Sequence, residues 1–416
     1  ERKTCRMCGA ESLEMDLQLQ SLPIGDRYTS EKDKDLTNEV YPMEIMRCET
    51  CGHYQNSGFV KPEKIYVHYL SRPATTNSAL SGAYQEYADY LLSEFKPSNT
   101  PFSVETGSND GAFSAYMKEK GCKVLCVEPS PNLVKQANER GIPTTQNYFS
   151  EKLSEEIKSE HGEADYFIAN HMFANVDDSE DFIKGVKNLL SENGVFSMQT
   201  FYQVDVIEKN LVENFTHEHL SCFYIKPFVA FCERFGMQVF DVKRVPAKAG
   251  SIRCFVQKQG GSHAVQASVK ALIDLENSMG MGQKGAHDSV RAFIESTKKN
   301  LHAVLDPALA EGKKVVGFGT SIGATTFIFN YDLGDVFTYL VDDDPYRHNL
   351  VSPHFHIPVL SSAKIHDDMP EYIVVLAPLY ADIIIKKNQD YLAKGGKFIK
   401  FWPKFEIVES VEEVVS

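Results

Sequence analysis

The stretch "PFSVETGSNDGAFSAYMKEKGCKVLCVEPSPN", residues 101–132, decides the fold class. Its apolar runs and glycines predict a strand, a glycine loop, a helix, a second strand that ends on an acidic residue, and the start of another helix. This order is typical of the first unit of a doubly wound α/β domain. Gly107 and Gly111 are spaced G-x-x-x-G, so the G-x-G-x-x-G fingerprint of a dinucleotide-binding loop is missing.

The pattern of alternating strands and helices continues after this unit. The stretch "ADYFIANHMFANVDD" reads as a buried strand that leads into a polar loop, and residues 179–194 read as an amphipathic helix before another strand at 194–201. Asn170 and Asn175 would then lie at the carboxyl end of the sheet, where ligands bind in open α/β folds. Either asparagine could equally well cap a loop.

The last third of the chain predicts a second parallel sheet. Two helices, at about 265–280 and 286–305, lead into "KKVVGFGTSIGATTFIF", a strand and a second glycine turn before a helix. Further apolar strands follow it, and repeated alternation of strand and helix implies parallel strands. A glycine loop at a helix N-terminus can hold phosphate, although a structural domain without a ligand would show the same pattern.

Composition limits the class of protein. A chain of 416 residues is too long for one compact core, and we expect three domains. Hydrophobic residues at 43% and charged residues at 24% are ordinary globular usage, and no apolar run has the length of a membrane helix. The net charge of -14 disfavours nucleic acid as a partner. The start "ERKTCRMCGA" has no apolar signal core, so we expect a reducing, cytoplasmic location.

Four of the nine cysteines form two C-x-x-C pairs, Cys5 with Cys8 and Cys48 with Cys51. Each pair runs on into a glycine, and four thiolates can close a tetrahedron around zinc. Such a site is structural, because it leaves no coordination position open. A disulfide pair and a redox C-x-x-C are the disfavoured alternatives. The other cysteines are predicted to be buried packing residues: Cys122, Cys126, Cys222, Cys232 and Cys254.

The stretch "NFTHEHLSCFY", residues 214–224, places two histidines around a glutamate about 15 residues after the sheet. It is compatible with three hypotheses: metal ligation by His217 and His219, structural histidines, or acid/base work. Histidines two residues apart on a strand-like segment are weakly spaced for a metal, and the H-E-x-x-H pattern is absent. Acid/base work is favoured, because a histidine titrates near neutral pH.

Seven features occur in the order found in one known family: the paired C-x-x-C knuckles, "VETGSNDGAF", "VEPSPN", "NHMFANVDD", "HEHLS", "AGSIRCFV" and "VVGFGTSIGATT". Over nearly its whole length the chain resembles the zinc-containing, S-adenosylmethionine-dependent sugar C-methyltransferases of deoxysugar biosynthesis. The resemblance implies an α/β fold in three parts. These are a zinc-binding domain at 1–70, a class I methyltransferase Rossmann-like domain at 71–262, and a second Rossmann-like domain at 263–416 that binds a nucleotide sugar.

The resemblance also implies S-adenosylmethionine and structural Zn²⁺ as cofactors. In the family the glycine loop passes the methionyl part of the donor, and an acidic residue binds its ribose hydroxyls. Glu128 lies at a suitable distance after the loop for that role. The expected donor-binding residues are Glu105, Gly107, Asn109, Asp110, Gly111, Glu128, Asn170 and Asn175.

Family members methylate the carbon next to the ketone of a nucleotide-diphosphate-linked keto-deoxysugar. The resemblance makes His219 the base and places Glu218 beside the sugar, with Tyr69 as a substrate-side tyrosine or a buried packing residue. Members usually carry tyrosines where this chain has Thr216 and Cys222. This difference is compatible with a different hydroxyl or amino pattern on the sugar and with a changed reaction outcome. The expected acceptor-binding residues are Thr216, His217, Arg253, Gly319 and Ser321.

The guanidinium of Arg253 could pair with phosphate or with a carboxylate. The expected partner is a nucleotide sugar, without nucleic acid or membrane, and the chain is expected to be a monomer or a small homo-oligomer. Two alternatives remain open: an O- or N-methyltransferase acting on another acceptor, and a non-catalytic zinc scaffold that binds S-adenosylmethionine.

Overall fold

A computed structural model describes residues 2–58, 60–66, 78–95 and 100–410 of the chain, without the side chains of residues 78–81. Within these ranges, none of the helices combines the length and the apolar character needed to cross a bilayer. The strands are β1 Leu13–Gln18, β2 Thr29–Ser30, β3 Glu44–Cys48, β4 Tyr54–Asn56, β5 Phe102–Thr106, β6 Lys123–Glu128, β7 Thr144–Gln146, β8 Ala164–Asn170, β9 Leu190–Phe201, β10 Ser221–Cys222, β11 Met237–Val245, β12 Ser251–Lys258, β13 Val315–Phe318, β14 Tyr339–Asp342, β15 Leu350–Val351, β16 Val359–Ser361, β17 Tyr372–Val375, β18 Lys397–Lys400 and β19 Glu406–Val408.

The described helices alternate with these strands through the second and third parts of the chain, as the sequence predicts. They are α1 Pro62–Tyr66, α2 Ser78–Glu94, α3 Ala112–Glu119, α4 Pro131–Glu139, α5 Glu151–His161, α6 Ser179–Leu189, α7 Gln203–Lys209, α8 Ile225–Arg234, α9 Ala267–Ser278, α10 Asp288–Ala310, α11 Ile322–Asn330, α12 Lys364–Asp368, α13 Ala381–Lys387 and α14 Gln389–Ala393.

The largest sheet has seven strands in the order β11-β12-β9-β8-β5-β6-β7. The strands from β9 to β7 are parallel, whereas β12 runs antiparallel to both of its neighbours. Every residue of β5 is buried, because helices cover both faces of the sheet. β5 pairs with β6 on one side and with β8 on the other. The chain connections that follow β5 and β7 therefore lead to opposite sides of β5. The crevice at this switch point is where ligands bind in open α/β sheets.

A second α/β sheet follows in the order β16-β14-β13-β17-β18-β19, with β19 antiparallel and the other strands parallel. The long helices α9 and α10 connect the two sheets, which confirms the two helices predicted before the second glycine turn. The switch point of this sheet lies between β13 and β17, so the second glycine turn stands at its carboxyl edge. The α/β fold class is therefore confirmed.

The N-terminal part is tied to both α/β parts by strand pairing. Its four-stranded sheet has the order β1-β3-β4-β10, and β10 comes from residues 221–222, far along the chain. In the same way β2 pairs with β15 of the C-terminal part. Both pairings cross the predicted domain boundaries, which stay a prediction. The pairing of β4 with β10 places the end of the segment at 214–224 against the cysteine-bearing sheet.

Candidate functional site

The four paired cysteines form a closed cluster. Their sulfurs all lie within 4.8 Å of one another, with 3.6 Å between Cys5 and Cys51 and 3.5 Å between Cys8 and Cys48. Zinc with Zn–S bonds of about 2.3 Å in a regular tetrahedron separates its sulfurs by about 3.8 Å, so the cluster fits this ion. Among the described residues it is the single group of three or more potential metal ligands found. No two cysteines form a disulfide.

Backbone geometry shapes both knuckles in the same way. The N–H of Gly9 donates to the carbonyl of Cys5 at 2.9 Å, and that of Gly52 donates to the carbonyl of Cys48 at 2.8 Å. Both glycines have a positive φ, so the glycine after each pair of cysteines lets the backbone turn tightly there. The five cysteines outside the knuckles are all buried, as predicted.

A cavity of about 430 Å³ lies in the crevice at the carboxyl ends of β5, β6 and β8. Its volume is within the range of pockets that hold a small-molecule ligand. Five of the eight predicted donor-binding residues line it: Gly107, Asn109, Glu128, Asn170 and Asn175. The structure therefore gathers residues from three separate loops around one space.

Gly107 gives the cavity its shape. Its φ is +62°, and a Cβ at this position would lie 2.7 Å from the Cβ of Met172, which forms part of the cavity wall. Its N–H donates to the carbonyl of Val127 at 2.8 Å, so the turn is held against the neighbouring strand. A side chain here would displace Met172 and change the shape of the cavity wall.

The carboxylate of Glu128 is held in a fixed orientation. One oxygen accepts the N–H of Asn109 and the other accepts the N–H of Ser130, both at 3.0 Å. Burial raises the pKa of Glu128 to about 7, although the two N–H groups act in the opposite direction. A carboxylate fixed in this way keeps lone pairs available for a pair of ligand hydroxyls.

Three predicted donor-binding residues stand behind the cavity wall instead of lining it. Glu105 is fully buried and accepts hydrogen bonds from Ser114 at 2.6 Å and Asn170 at 3.3 Å; burial raises its pKa to about 8. Asp110 pairs with an arginine, and Gly111 is the N-cap of α3. These residues hold the loop in place.

Buried polar atoms in the cavity wall show that it suits a polar ligand. Within the described residues, Asn170 Oδ1 and Asn175 Oδ1 are buried acceptors without a hydrogen-bond partner. Nδ1 of His171 is a buried donor without one, because its Nε2 accepts from the amide of Gln199. Unsatisfied buried groups are costly, so these atoms are expected to meet a ligand or water. Acceptors of this kind suit an ammonium group, and Glu128 suits ribose hydroxyls. The residues present therefore fit S-adenosylmethionine.

The histidines of the segment at 214–224 lie in a turn and not on the strand-like segment that was expected. The turn is closed by the N–H of His219, which donates to the carbonyl of Thr216 at 3.2 Å. His217 is buried and its Nε2 donates to the carbonyl of Tyr41 at 3.3 Å. His219 turns instead toward Phe201, with ring centroids 4.8 Å apart. Because the two imidazoles bond to different elements, they form no shared metal site.

His219 is held in one tautomer. Its Nδ1 donates to the carbonyl of Asn214 at 2.6 Å, which leaves Nε2 as the nitrogen with the lone pair. Nε2 makes no hydrogen bond within the described part of the chain. Desolvation in the pocket lowers the pKa of His219 to about 4, and the carbonyl of Asn214 offsets this in part. The ring is therefore neutral near pH 7 and presents an unprotonated nitrogen.

Phe201 contacts both His219 and the wall of the larger cavity. His219 itself lines a separate, small cavity of about 20 Å³ and is not among the residues that line the larger one. The ring of Phe201 lies 5.2 Å from the ring of His171 and 5.4 Å from Nζ of Lys248, and both of these residues line the donor cavity. The imidazole is thus one aromatic ring away from the donor space.

Sequence reasoning missed three residues of this region: Tyr66, His171 and Lys248. The hydroxyl of Tyr66 accepts a hydrogen bond from Asn175 at 3.0 Å, and Tyr66 lies within electrostatic reach of the buried Glu218. His171 is in the quoted stretch "NHMFANVDD", and Lys248 comes two residues before Gly250, so both lay beside recognised motifs. Tyr69, which was predicted to be the tyrosine beside the substrate, lies outside the described residues.

The guanidinium of Arg253 already has a partner inside the chain. Its Nε and Nη2 donate to Oε1 of Gln199 at 2.9 and 2.7 Å, and the group lies 3.5 Å above the ring of Tyr87. Within the described chain this partner is an amide oxygen, and pairing of Arg253 with a phosphate or a carboxylate stays a prediction. Since Gln199 Nε2 also lies 3.1 Å from His171 Nε2, Arg253 holds the cavity wall through Gln199.

The second glycine turn lies close in space to the histidine turn. Gly319 follows β13 with a φ of +111°, and the Oγ of Ser321 caps α11 by accepting the N–H of Ala324 at 3.4 Å. The first half of α11 packs closely on the 3-10 turn Val212–Asn214. A Cβ added to Gly323 would lie only 2.6 Å from the Cβ of Glu213. The helix that follows the glycine loop of the C-terminal part therefore contacts a turn that comes just before Thr216 in the sequence.

Each of the three parts of the chain matches a known family of protein domains. Residues 5–66 match the family described as "Putative zinc binding domain", residues 81–242 match a methyltransferase domain, and residues 246–403 match the C-methyltransferase C-terminal domain. The C-methyltransferase NovU of Streptomyces niveus is 25% identical over 407 residues, which cover 98% of this chain and 97% of that protein. The three matched domains are those of a C-methyltransferase. The chain is an S-adenosylmethionine-dependent enzyme with a zinc-binding N-terminal domain.

Solved structures similar to this C-methyltransferase overlap with less than half of it. The plantazolicin methyltransferase BpumL in complex with SAH is 13% identical with a TM-score of 0.35, covering 45% of this chain and 85% of that one. The PH0226 protein from Pyrococcus horikoshii OT3 is 12% identical with a TM-score of 0.36, covering 49% of this chain and all of that one.

Proposed function

We propose that this C-methyltransferase methylates the carbon next to the ketone of a nucleotide-diphosphate-linked keto-deoxysugar, with His219 as the base. The observation that carries the proposal is the hydrogen bond from Nδ1 of His219 to the carbonyl of Asn214. It leaves Nε2 unprotonated, one aromatic ring from the cavity that fits the methyl donor. A carbon acceptor needs such a base, because a C–H bond must lose its proton before the carbon can act as a nucleophile.

His219 Nε2 removes the proton from the carbon beside the ketone, and the C–H electron pair moves into the bond toward the carbonyl carbon to give an enolate. S-adenosylmethionine, when bound, supplies an electrophilic methyl group for that carbon. The low pKa of His219 keeps the ring neutral at neutral pH, so almost all of the enzyme is ready to accept a proton. The hydrogen bond at Nδ1 keeps the ring oriented as it gains the proton.

Glu218 is the second side chain assigned to the sugar. It is buried, with 8% of its surface exposed, and it lies within electrostatic reach of both Tyr66 and Lys248. A carboxylate in this position suits a hydroxyl of the sugar ring. The buried Thr216 and Cys222 stand where the resembling family has tyrosines, which supports a sugar with a different pattern of polar groups.

The nucleotide diphosphate is assigned to the C-terminal part, with the loop at Gly319 and Ser321. The loop stands at the switch point of its sheet, where α/β folds bind ligands. The packing of α11 on the turn Val212–Asn214 supports a single acceptor site that extends from this loop to His219.

The test uses methyl-¹³C-labelled S-adenosylmethionine and a dTDP-linked 4-keto-6-deoxyhexose. NMR of the product is expected to show the labelled methyl bonded to a ring carbon next to the ketone. The variant His219→Gln is expected to lose at least a hundredfold in rate while it binds S-adenosylhomocysteine like the parent enzyme. A label on oxygen or nitrogen, or full activity in His219→Gln, would contradict the proposal.

A further inference from the structure

The backbone at residues 247–250 has an unusual conformation that sequence patterns do not reveal. Lys248 has φ 51° and ψ 43°, and Ala249 has φ 66°, so two consecutive residues other than glycine are in the left-handed region. This conformation is unfavourable for any residue with a Cβ, because the Cβ comes too close to the following carbonyl oxygen. Such strain persists only where the surroundings hold it, and it occurs mostly at functional sites.

Several contacts hold this loop in place. Nζ of Lys209 donates to the carbonyl of Ala249 at 2.5 Å, and the Oγ of Ser251 donates to the carbonyl of Ala247 at 2.8 Å. Gly250 packs so closely on Asp205 that a Cβ would lie 2.3 Å from the aspartate Cβ. The loop is therefore anchored from outside, through Asp205 and Lys209, which form an ion pair of their own.

The result of this conformation is that the Lys248 side chain reaches the donor cavity. Lys248 forms part of the cavity wall, and its Nζ lies 5.4 Å from the centre of the Phe201 ring, the same ring that His219 contacts. It is within electrostatic reach of Glu218 and His219. No hydrogen bond or ion pair of Nζ occurs in the part of the chain that the structure describes.

We propose that Lys248 is a catalytic residue that donates a hydrogen bond to the ketone oxygen of the acceptor and stabilises the enolate. This inference rests on the proposed function. As His219 Nε2 takes the proton, the carbonyl π pair moves onto the oxygen, and the ammonium of Lys248 faces the negative charge formed there. When the carbon attacks the donor methyl, the pair returns to the carbonyl and the donor sulfur leaves with the electrons of the S–CH₃ bond.

The neighbouring charges explain why a cation is needed at this place. A neutral imidazole in a desolvated pocket is a weak base, so it removes a proton from carbon only if the enolate is stabilised. The positive charge of Lys248 also keeps His219 unprotonated before the reaction. Once the enolate has formed, its negative charge lies between two cations, the ammonium and the imidazolium. Preorganised charge of this kind acts where charge develops, and removing one such donor costs about 10²–10³ in kcat.

The test compares Lys248→Met with Lys248→Arg and with a control, Lys270→Met. Lys270 is on α9 and its side chain is 80% exposed, so its removal tests the loss of one positive charge alone. With the dTDP-linked 4-keto-6-deoxyhexose, Lys248→Met is expected to lose about 10²–10³ in kcat, with KM within a few fold of the parent value. Lys248→Arg is expected to recover part of this loss, and Lys270→Met is expected to be unchanged.

A second measurement separates catalysis from sugar binding and from folding. The ¹³C resonance of a ¹³C-labelled ketone is expected to move downfield on binding to the parent enzyme and to move less on binding to Lys248→Met. Affinity for the reduced 4-hydroxy sugar is expected to be the same in both. If Lys248→Met keeps the kcat and the ketone shift of the parent, or weakens the keto and hydroxy sugars equally, the inference is wrong. If the parent enzyme does not methylate the keto sugar, the proposed function fails instead.

Discussion

The substitution Gly107→Ala tests the cavity wall directly. The added methyl would lie 2.7 and 2.8 Å from Cβ and Cγ of Met172, whereas carbon atoms in contact are about 3.5–4.0 Å apart. Met172 must therefore move by about 1 Å, and both residues line the cavity, so its wall must change shape. The left-handed backbone adds a penalty of about 1–2 kcal/mol to folding.

Gly121→Ala is the matched control. Gly121 has a φ of +94° and nothing within 4 Å of its Cβ position, so it carries the backbone penalty without the clash. Gly121→Ala is expected to lose about 1–2 kcal/mol of unfolding free energy in urea titrations, and Gly107→Ala is expected to lose at least as much. Gly107→Ala alone is expected to bind S-adenosylhomocysteine at least tenfold more weakly by calorimetry, which corresponds to about 1.4 kcal/mol. Equal affinity in the two variants would refute the assignment of this cavity to the donor.

Three further predictions concern the metal, the donor ribose and the domain contacts. Removal of zinc by a chelator should abolish methyl transfer, because zinc holds the shape of the sheet that includes β10. Elemental analysis should find one zinc per active chain. An active chain without metal would contradict this prediction. The affinity of the enzyme for S-adenosylhomocysteine should rise as the pH increases through about 7, because Glu128 loses its proton there. The affinity of Glu128→Gln should not change with pH over the same range. Arg347→Met should cost about 3 kcal/mol in urea unfolding, because it removes the arginine that pairs with the buried Asp26. Lys364→Met, which breaks an exposed pair, should cost less than about 1 kcal/mol.

The sequence predicted those parts of the fold that local patterns determine. The strand, glycine loop and helix around Gly107 follow from apolar periodicity and from two glycines, and they form as expected. The paired cysteines also gave a confirmed cluster, because four soft ligands at this spacing have few other uses. The pairing of β4 with β10 was not predicted, since no local signal connects residues so far apart in the chain.

Side-chain direction limited the prediction of the candidate site. The sequence places His217 and His219 together, but a turn sends one ring toward Tyr41 and the other toward Phe201. The partner of Arg253 depends on strand register, because Gln199 is its cross-strand neighbour on β9. Lys248 was missed for a related reason: a left-handed backbone at a lysine has no sequence signature. Each of these depends on contacts between distant segments.

The most direct test of the central claim is proton exchange at the acceptor carbon. The enzyme is incubated in D₂O with S-adenosylhomocysteine and the dTDP-linked 4-keto-6-deoxyhexose, so that deprotonation can occur without methyl transfer. We expect deuterium to enter the position next to the ketone and exchange to fall at least a hundredfold in His219→Gln. Equal exchange by the parent and by His219→Gln, at a rate above that of the free sugar, would show that His219 is not the base.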